Sequence, residues 1–289
     1  AGLASSASSF AALTVAASAA AGRDYATAEL ASLAGEASGS AARSLLGGFV
    51  ELSNVDDGIA VEEICAADDW PLDVVVAITE TGPKPVGSTE AMEISRRTSP
   101  FYRSWVDQQD GDLATARAAI ESRDFEKLAA IAEHNCLKMH SIMWASRPPM
   151  VYWNAATMRC LQTIRGLQGK GLAVFFTIDA GPQVKAVCLP EHAAQVEAAL
   201  RETRGVTTIM TTGLGDGARL EQGARARLQV RPARSCWPVS TPDSGTLLRS
   251  AWPSIGALWR RSVPMSPASV ALRRPGSKVA TDFVSLMQW

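Results

Sequence analysis

The chain has almost no excess charge, few aromatic side chains and only three histidines among 289 residues. A net charge of −1 gives no global attraction to nucleic acid or to an anionic membrane surface. The five cysteines, at 65, 136, 160, 188 and 236, are odd in number, scattered, and without a Cys-x-x-Cys pair. That spacing offers neither a disulfide framework nor a zinc site and reads as reduced thiols of a cytoplasmic protein. His134, His140 and His192 lack metal-ligand spacing, so no metal is expected on protein ligands alone, and His140 reads as structural. No stretch of about eighteen apolar residues free of charge looks membrane-spanning. The apolar opening lacks basic residues and is broken by serines and Gly22, unlike a secretory signal. No Gly-Lys-Ser/Thr follows a glycine-rich loop, so a Walker-type phosphate loop is absent.

The stretch that stands out is SGSAARSLLGGFVEL, residues 38–52, in which one arginine sits among hydroxyls and small residues. Arg43 follows the Ser38-Gly39-Ser40 turn and precedes an apolar run, which predicts the first turn of a helix, where outward N–H groups favour anions. A guanidinium there is a planar receptor for carboxylate or phosphate, although an N-capped surface helix with an ordinary arginine fits this stretch equally well.

Alanine-rich residues 5–21 predict a buried helix that Gly22 ends, and a second helix is expected over Tyr25–Leu33. Gly47 and Gly48 precede a short strand, Phe49–Leu52; residues 54–70 read as an acidic, irregular connection. Asp73–Ile78 is β-branched and of buried-strand character. Helices are predicted over about 88–108, 112–121, 125–144 and 151–167. Strands follow at 173–178 and 184–189, a helix at 191–201 and a strand at 206–211. That order is a ferredoxin-like split unit, so residues 71–217 read as one α+β domain and residues 1–70 as part of another. In residues 218–289, ten arginines face only Glu221, Asp243 and Asp282 among recurring prolines and serines. The composition reads as a basic, disordered tail.

Two further places carry chemistry. Gly2-Leu3-Ala4-Ser5-Ser6 can let backbone N–H groups and two hydroxyls approach a phosphate, or be a plain helix cap. Asp179 ends an apolar strand and opens Asp-Ala-Gly-Pro, a tight turn that can aim its carboxylate into a cleft or simply use it as a turn former.

Residues 38–52 also resemble the SGSACRSL-GGFVE signature of the diphosphomevalonate decarboxylases, a branch of the GHMP small-molecule kinases. Three further segments match that family in the same order: GLASSAS at 2–8, GSTEAMEISRRTSPFYRSWV at 87–106 and FFTIDAGPQV at 175–184. The resemblance implies a GHMP kinase-like two-domain α+β fold, with an incomplete ribosomal protein S5 domain 2-like part followed by the ferredoxin-like domain. Family members carry sequence before this point, so the chain is expected to be a fragment whose start is missing. The implied activity is ATP- and Mg2+-dependent decarboxylation of mevalonate 5-diphosphate to isopentenyl diphosphate, by a cytoplasmic homodimer. Asp179 would be the base on the 3-hydroxyl and Arg43 would hold the C1 carboxylate. Ser38, Gly39 and Ser40 would bind substrate; Ser88 and Thr89 its diphosphate; Gly2, Leu3, Ala4, Ser5 and Ser6 the nucleotide. Bacterial relatives often place an arginine at the position of Thr89, which keeps the monophosphate open as substrate. A GHMP kinase that does not decarboxylate, and an inactive fragment, are the other readings.

Overall fold

Asp73–Ile78 (β3) is the central strand of the larger unit, and its alternating side chains define two faces of a sheet. In the computed structural model, which describes residues 5–55, 58–82, 86–222 and 228–231, Val75 and Ala77 join one core cluster while Val74, Val76 and Ile78 join another. β3 pairs antiparallel with Val184–Cys188 (β5) on one side and Thr208–Gly213 (β6) on the other, and Val174–Thr177 (β4) adds to β5. The order β4-β5-β3-β6, antiparallel throughout, is the ferredoxin-like arrangement expected from the element order. The face bearing Val75, Ala77, Phe176 and Ala186 is covered by Ala155–Gln168 (α6) and Ala193–Arg201 (α7), through Ile164, Val196 and Leu200. Phe175 and Val187 point the other way, into a cluster with Phe49, Trp70 and Ile120.

The smaller unit opens with Ser5–Ala20 (α1) and Thr27–Ala37 (α2), then a single 3-10 turn, Ala41–Leu45, and the hairpin Phe49–Val55 (β1) with Gly58–Cys65 (β2). Its core is mostly alanine: Ala11, Ala31, Ala34, Ala41 and Ala42 are fully buried with Leu45 and Leu52. Small side chains let the helices approach closely, and a Cβ added at Gly35 would lie 2.5 Å from the Ile59 side chain. Arg117 ties the units together from the helix Tyr102–Glu121 (α4), with Glu51 and Glu62 on the hairpin at 3.0 and 2.7 Å.

Three expectations need correction. Residues 58–65 are not an irregular connection: Ile59, Val61 and Ile64 supply enough alternation to pair with β1. The helical stretch after Gly87 does not break near Asp112. It ends as Ser88–Thr98 (α3), and α4 then runs unbroken past Gly111, because Pro100 cannot continue a helix whereas an exposed glycine can. Beyond 218, the chain adds the hairpin Arg219–Gln222 (β7) with Leu228–Arg231 (β8). The remainder of the expected tail, 232–289, lies outside the described residues. Phe125–Trp144 (α5) occurs as predicted, started by Asp124, whose carboxylate accepts the Lys127 N–H at 3.0 Å.

Candidate active site

β4 ends at Thr177, Ile178 is buried in the core, and period-two alternation turns Asp179 to the face away from α6 and α7. The Gly181 N–H donates to the Asp179 carbonyl at 2.7 Å, closing the turn. The Pro182 carbonyl accepts from the hydroxyls of Thr79 (3.0 Å) and Thr157 (2.7 Å). Gln183 spans the gap to the end of β3: its oxygen accepts the Thr79 N–H at 2.7 Å and its amide donates to the Glu80 carbonyl at 2.6 Å. The turn is therefore held from the end of β3 and from α6 at once. Asp179 Oδ2 lies 2.5 Å from the Lys185 Nζ; the lysine side chain is 2% exposed and the aspartate side chain 26%. Lys185 was not among the residues expected at a site. The signal that could have found it is one lysine inside the apolar run Val184–Cys188, where a charge is buried only with a partner.

Beneath the turn, His140 Nε2 lies 3.0 Å from the Ile178 carbonyl and 3.2 Å from the Trp153 indole N–H, and the two rings are 4.7 Å apart. The Cys136 thiol also donates to the Ile178 carbonyl, at 3.6 Å. Burial holds the imidazole well below its ordinary range, at about 4, and pushes the thiol up to about 12, so both are neutral near pH 7. A buried neutral histidine fits the structural role read from its place on a helix face. It also makes stability pH-dependent with a definite sign. The folded protein binds this proton only near pH 4 and the unfolded chain near 6.5, so this contribution rises between those values and is level above them. The slope reaches about 1.4 kcal/mol per pH unit. In urea unfolding, the stability margin of the parent over His140→Gln is expected to shrink as pH falls from 7 to 5; a margin independent of pH would contradict the assignment.

Arg43 is not in the first turn of an α-helix. It sits in the five-residue 3-10 turn Ala41–Leu45, because Gly48, at φ 66°, and the start of β1 leave no room for more. The side chain is buried, 4% exposed. Ser38 and Ser40 face each other with hydroxyls 3.3 Å apart, and the Ser38 carbonyl accepts the Ala41 N–H at 2.8 Å. The turn is moored to the segment after β6: Ala218 N–H donates to the Ser44 carbonyl at 3.1 Å and Gly48 N–H to the Gly215 carbonyl at 3.0 Å. The close approach uses glycine on both sides, since a Cβ at Gly217 would lie 2.4 Å from the Leu45 oxygen and one at Gly47 2.9 Å from the Gly215 oxygen. The pattern Gly213-Leu214-Gly215-Asp216-Gly217 was the available signal for this seam.

Ser88 and Thr89 begin α3 after Gly87, and the next turn of that helix, through Ala91, shares a cluster with Val86, Met150, Tyr152 and Ala180. The Asp179 turn, through Ala180, and the first turns of α3, through Ala91, border the same apolar cluster. Arg96 and Arg97 both pair with Glu93, at 2.7 and 2.5 Å, and are solvated. Lys84, Gly2, Leu3 and Ala4 lie outside the described residues; Ser5 and Ser6 begin α1, whose first turn has no acidic residue. Among the described residues no three His, Cys, Asp or Glu side chains cluster for a metal. Cys65, Cys136, Cys160 and Cys188 are free thiols, and among the described residues no helix is long and apolar enough to cross a membrane.

Residues 74–231 match the model of the mevalonate 5-diphosphate decarboxylase C-terminal domain, and residues 1–63 that of the diphosphomevalonate decarboxylase-like N-terminal domain. The diphosphomevalonate decarboxylase of Ganoderma lucidum is 32% identical over 210 residues, covering 68% of this chain and 52% of the relative. That of Saccharomyces cerevisiae is 32% identical, again over 68% of this chain and 52% of the relative. The chain spans about half the length of these curated relatives. Among solved structures, MDDEF in complex with MVAPP, AMPPCP and magnesium superposes with a TM-score of 0.69 at 31% identity, over 80% of this chain and 68% of that one. Mevalonate diphosphate decarboxylase from Staphylococcus aureus gives a TM-score of 0.69 at 30% identity, over 79% and 67%.

Proposed function

The chain belongs to the diphosphomevalonate decarboxylase family, and from that premise we propose that it carries out ATP-dependent decarboxylation of mevalonate 5-diphosphate to isopentenyl diphosphate, ADP, phosphate and CO2. In the first step the 3-hydroxyl oxygen bonds to the γ-phosphorus of ATP as ADP leaves, and its proton passes to Asp179. Phosphoryl transfer asks a protein mainly for positioning and charge stabilisation, and the multiply pinned Asp179 turn supplies the first. In the second step the 3-phosphate departs with its bonding electrons, and the C1–C2 pair becomes the alkene as CO2 separates. Arg43 holds the C1 carboxylate in line for that collapse, a geometric role because the carboxylate loses its charge as the bond breaks. Ser38, Gly39 and Ser40 complete this pocket. Ser88 and Thr89 receive the diphosphate, and Gly2, Leu3, Ala4, Ser5 and Ser6 the phosphates of ATP, with Mg2+ supplying charge neutralisation when bound.

The observation that carries this reading is a buried arginine beside a serine-glycine-serine turn in a chain that also clamps Asp179: a kinase needs only the second. Thr89, where relatives often have arginine, makes mevalonate monophosphate the substrate to compare. The free thiols support a reducing, cytoplasmic location, and the family suggests a homodimer. The test is ATP-dependent CO2 release from carboxyl-labelled mevalonate 5-diphosphate, by the chain as given and joined to its native upstream sequence, with Asp179→Ala as control. ADP formation without CO2 would indicate a kinase instead. Arg43→Lys is expected to lower turnover about 10²-fold, since a point charge cannot reproduce the planar fork, while ATP affinity holds; unaltered turnover would remove Arg43 from the site.

A further inference from the structure

Lys185 is a charge in a place where an aliphatic side chain would be expected. It lies in β5 between Thr177 of β4 and Val76 of β3, its side chain 2% exposed, in a strand whose every residue is buried. A buried ion pair is weak evidence for stability, because desolvation of both charges offsets their attraction, and well-packed apolar residues often do as well. Its use lies in direction. The ammonium meets Asp179 through one oxygen, Oδ2, at 2.5 Å, while the aspartate side chain keeps 26% exposure.

The groups around the pair sharpen this. Cys136 and His140, from α5, also interact with the pair and are neutral, and among the described residues Lys185 is the cation paired with the carboxylate. The turn hydrogen bonds from Thr79, Thr157 and Gln183 fix the backbone of residues 179–183, but none of them fixes the rotation of the Asp179 carboxylate. A carboxylate on a pinned turn still swings about its side-chain torsions, and a misdirected base loses the near-attack geometry.

We propose that Lys185 is the positioning residue of the reaction: it anchors Oδ2 of Asp179 so that the other oxygen, Oδ1, is presented to the substrate hydroxyl and takes its proton. Lys185 itself neither receives nor gives a proton. The inference rests on the proposed decarboxylation, and it distinguishes positioning from support of the fold. A residue that acts through Asp179 has nothing left to do once Asp179 is disabled.

The experiment is a kinetic cycle of Lys185→Met, Asp179→Asn and the double variant, in whichever form of the protein releases CO2, with unfolding monitored in parallel. Lys185→Met is expected to lower kcat at least about tenfold with KM for mevalonate 5-diphosphate within about threefold, and to leave the residual turnover of Asp179→Asn unchanged within about threefold. Lys185→Gln, which keeps a neutral donor, is expected between the parent and Lys185→Met, and serves if the methionine variant does not fold. Equal fractional losses in the parent and in the Asp179→Asn background, or a loss expressed in KM, would overturn positioning in favour of a structural role. Absence of CO2 from the unmodified protein would overturn the decarboxylase reading and this inference with it.

Discussion

Asp179→Asn is expected to reduce CO2 release by about 10²–10⁴-fold, the range over which positioned proton transfer contributes to rate. The same substitution carries a second expectation that a merely surface carboxylate would not. It leaves the Lys185 ammonium, in a side chain 2% exposed, against a neutral amide inside the sheet. Breaking a buried pair by removing one partner costs about 3–5 kcal/mol in typical cases. Unfolding in denaturant should therefore register a loss for Asp179→Asn and a partial recovery when Lys185→Met is added, because the second change removes the buried ammonium that has lost its carboxylate. Turnover should not recover with stability. Turnover and stability moving together would show that Asp179 matters only for folding, and an active Asp179→Asn protein would end its candidacy as base.

Gly48→Ala should destabilise the chain by about 3 kcal/mol, combining a left-handed backbone with overpacking. Gly48 has φ 66°, and an added Cβ would lie 2.4 Å from the Cys65 oxygen, 2.7 Å from the Ala67 nitrogen and 2.9 Å from the Ala66 carbonyl carbon. All three are backbone atoms, so no side chain can swing aside to relieve the contact. The strain enters where the Arg43 turn becomes β1 and where the Gly48 N–H meets the Gly215 carbonyl, so turnover should fall even in the molecules that remain folded. Gly111→Ala is the control. It lies inside α4 with nothing within 4 Å of the added Cβ, and should raise stability by about 0.5–1 kcal/mol through helix propensity. A melting temperature for Gly48→Ala equal to that of the parent would refute the close approach.

Local patterns were legible wherever the chain's own period settles the outcome. The β-branched run Asp73–Ile78, the helix Phe125–Trp144 and the Asp-Ala-Gly-Pro turn occur where periodicity and turn chemistry put them. Errors arose where a local signal met a tertiary one. Residues 58–65 are acidic enough to resemble a loop, yet Glu62 is drawn to Arg117 on α4 and the strand pairs with β1. Arg43 was expected at the head of an α-helix; Gly48 and the start of β1 stop its turn after five residues, and hydrogen bonds to residues 215 and 218 moor it there.

By itself, then, the order of residues determined the ferredoxin-like succession of elements, the family, and two of the residues proposed for chemistry, Arg43 and Asp179. Those features depend on neighbours a few positions apart, where periodicity and short motifs act. Only the tertiary structure decided that Lys185 faces Asp179, that Thr79 and Thr157 clamp the Asp179 turn, and that glycines 47 and 48 meet glycines 215 and 217 across the seam. Each of these joins strands or turns whose meeting is set by sheet register and backbone approach. A side chain's partner across a sheet depends on which strand lies beside it, and that choice is made by packing of the whole domain.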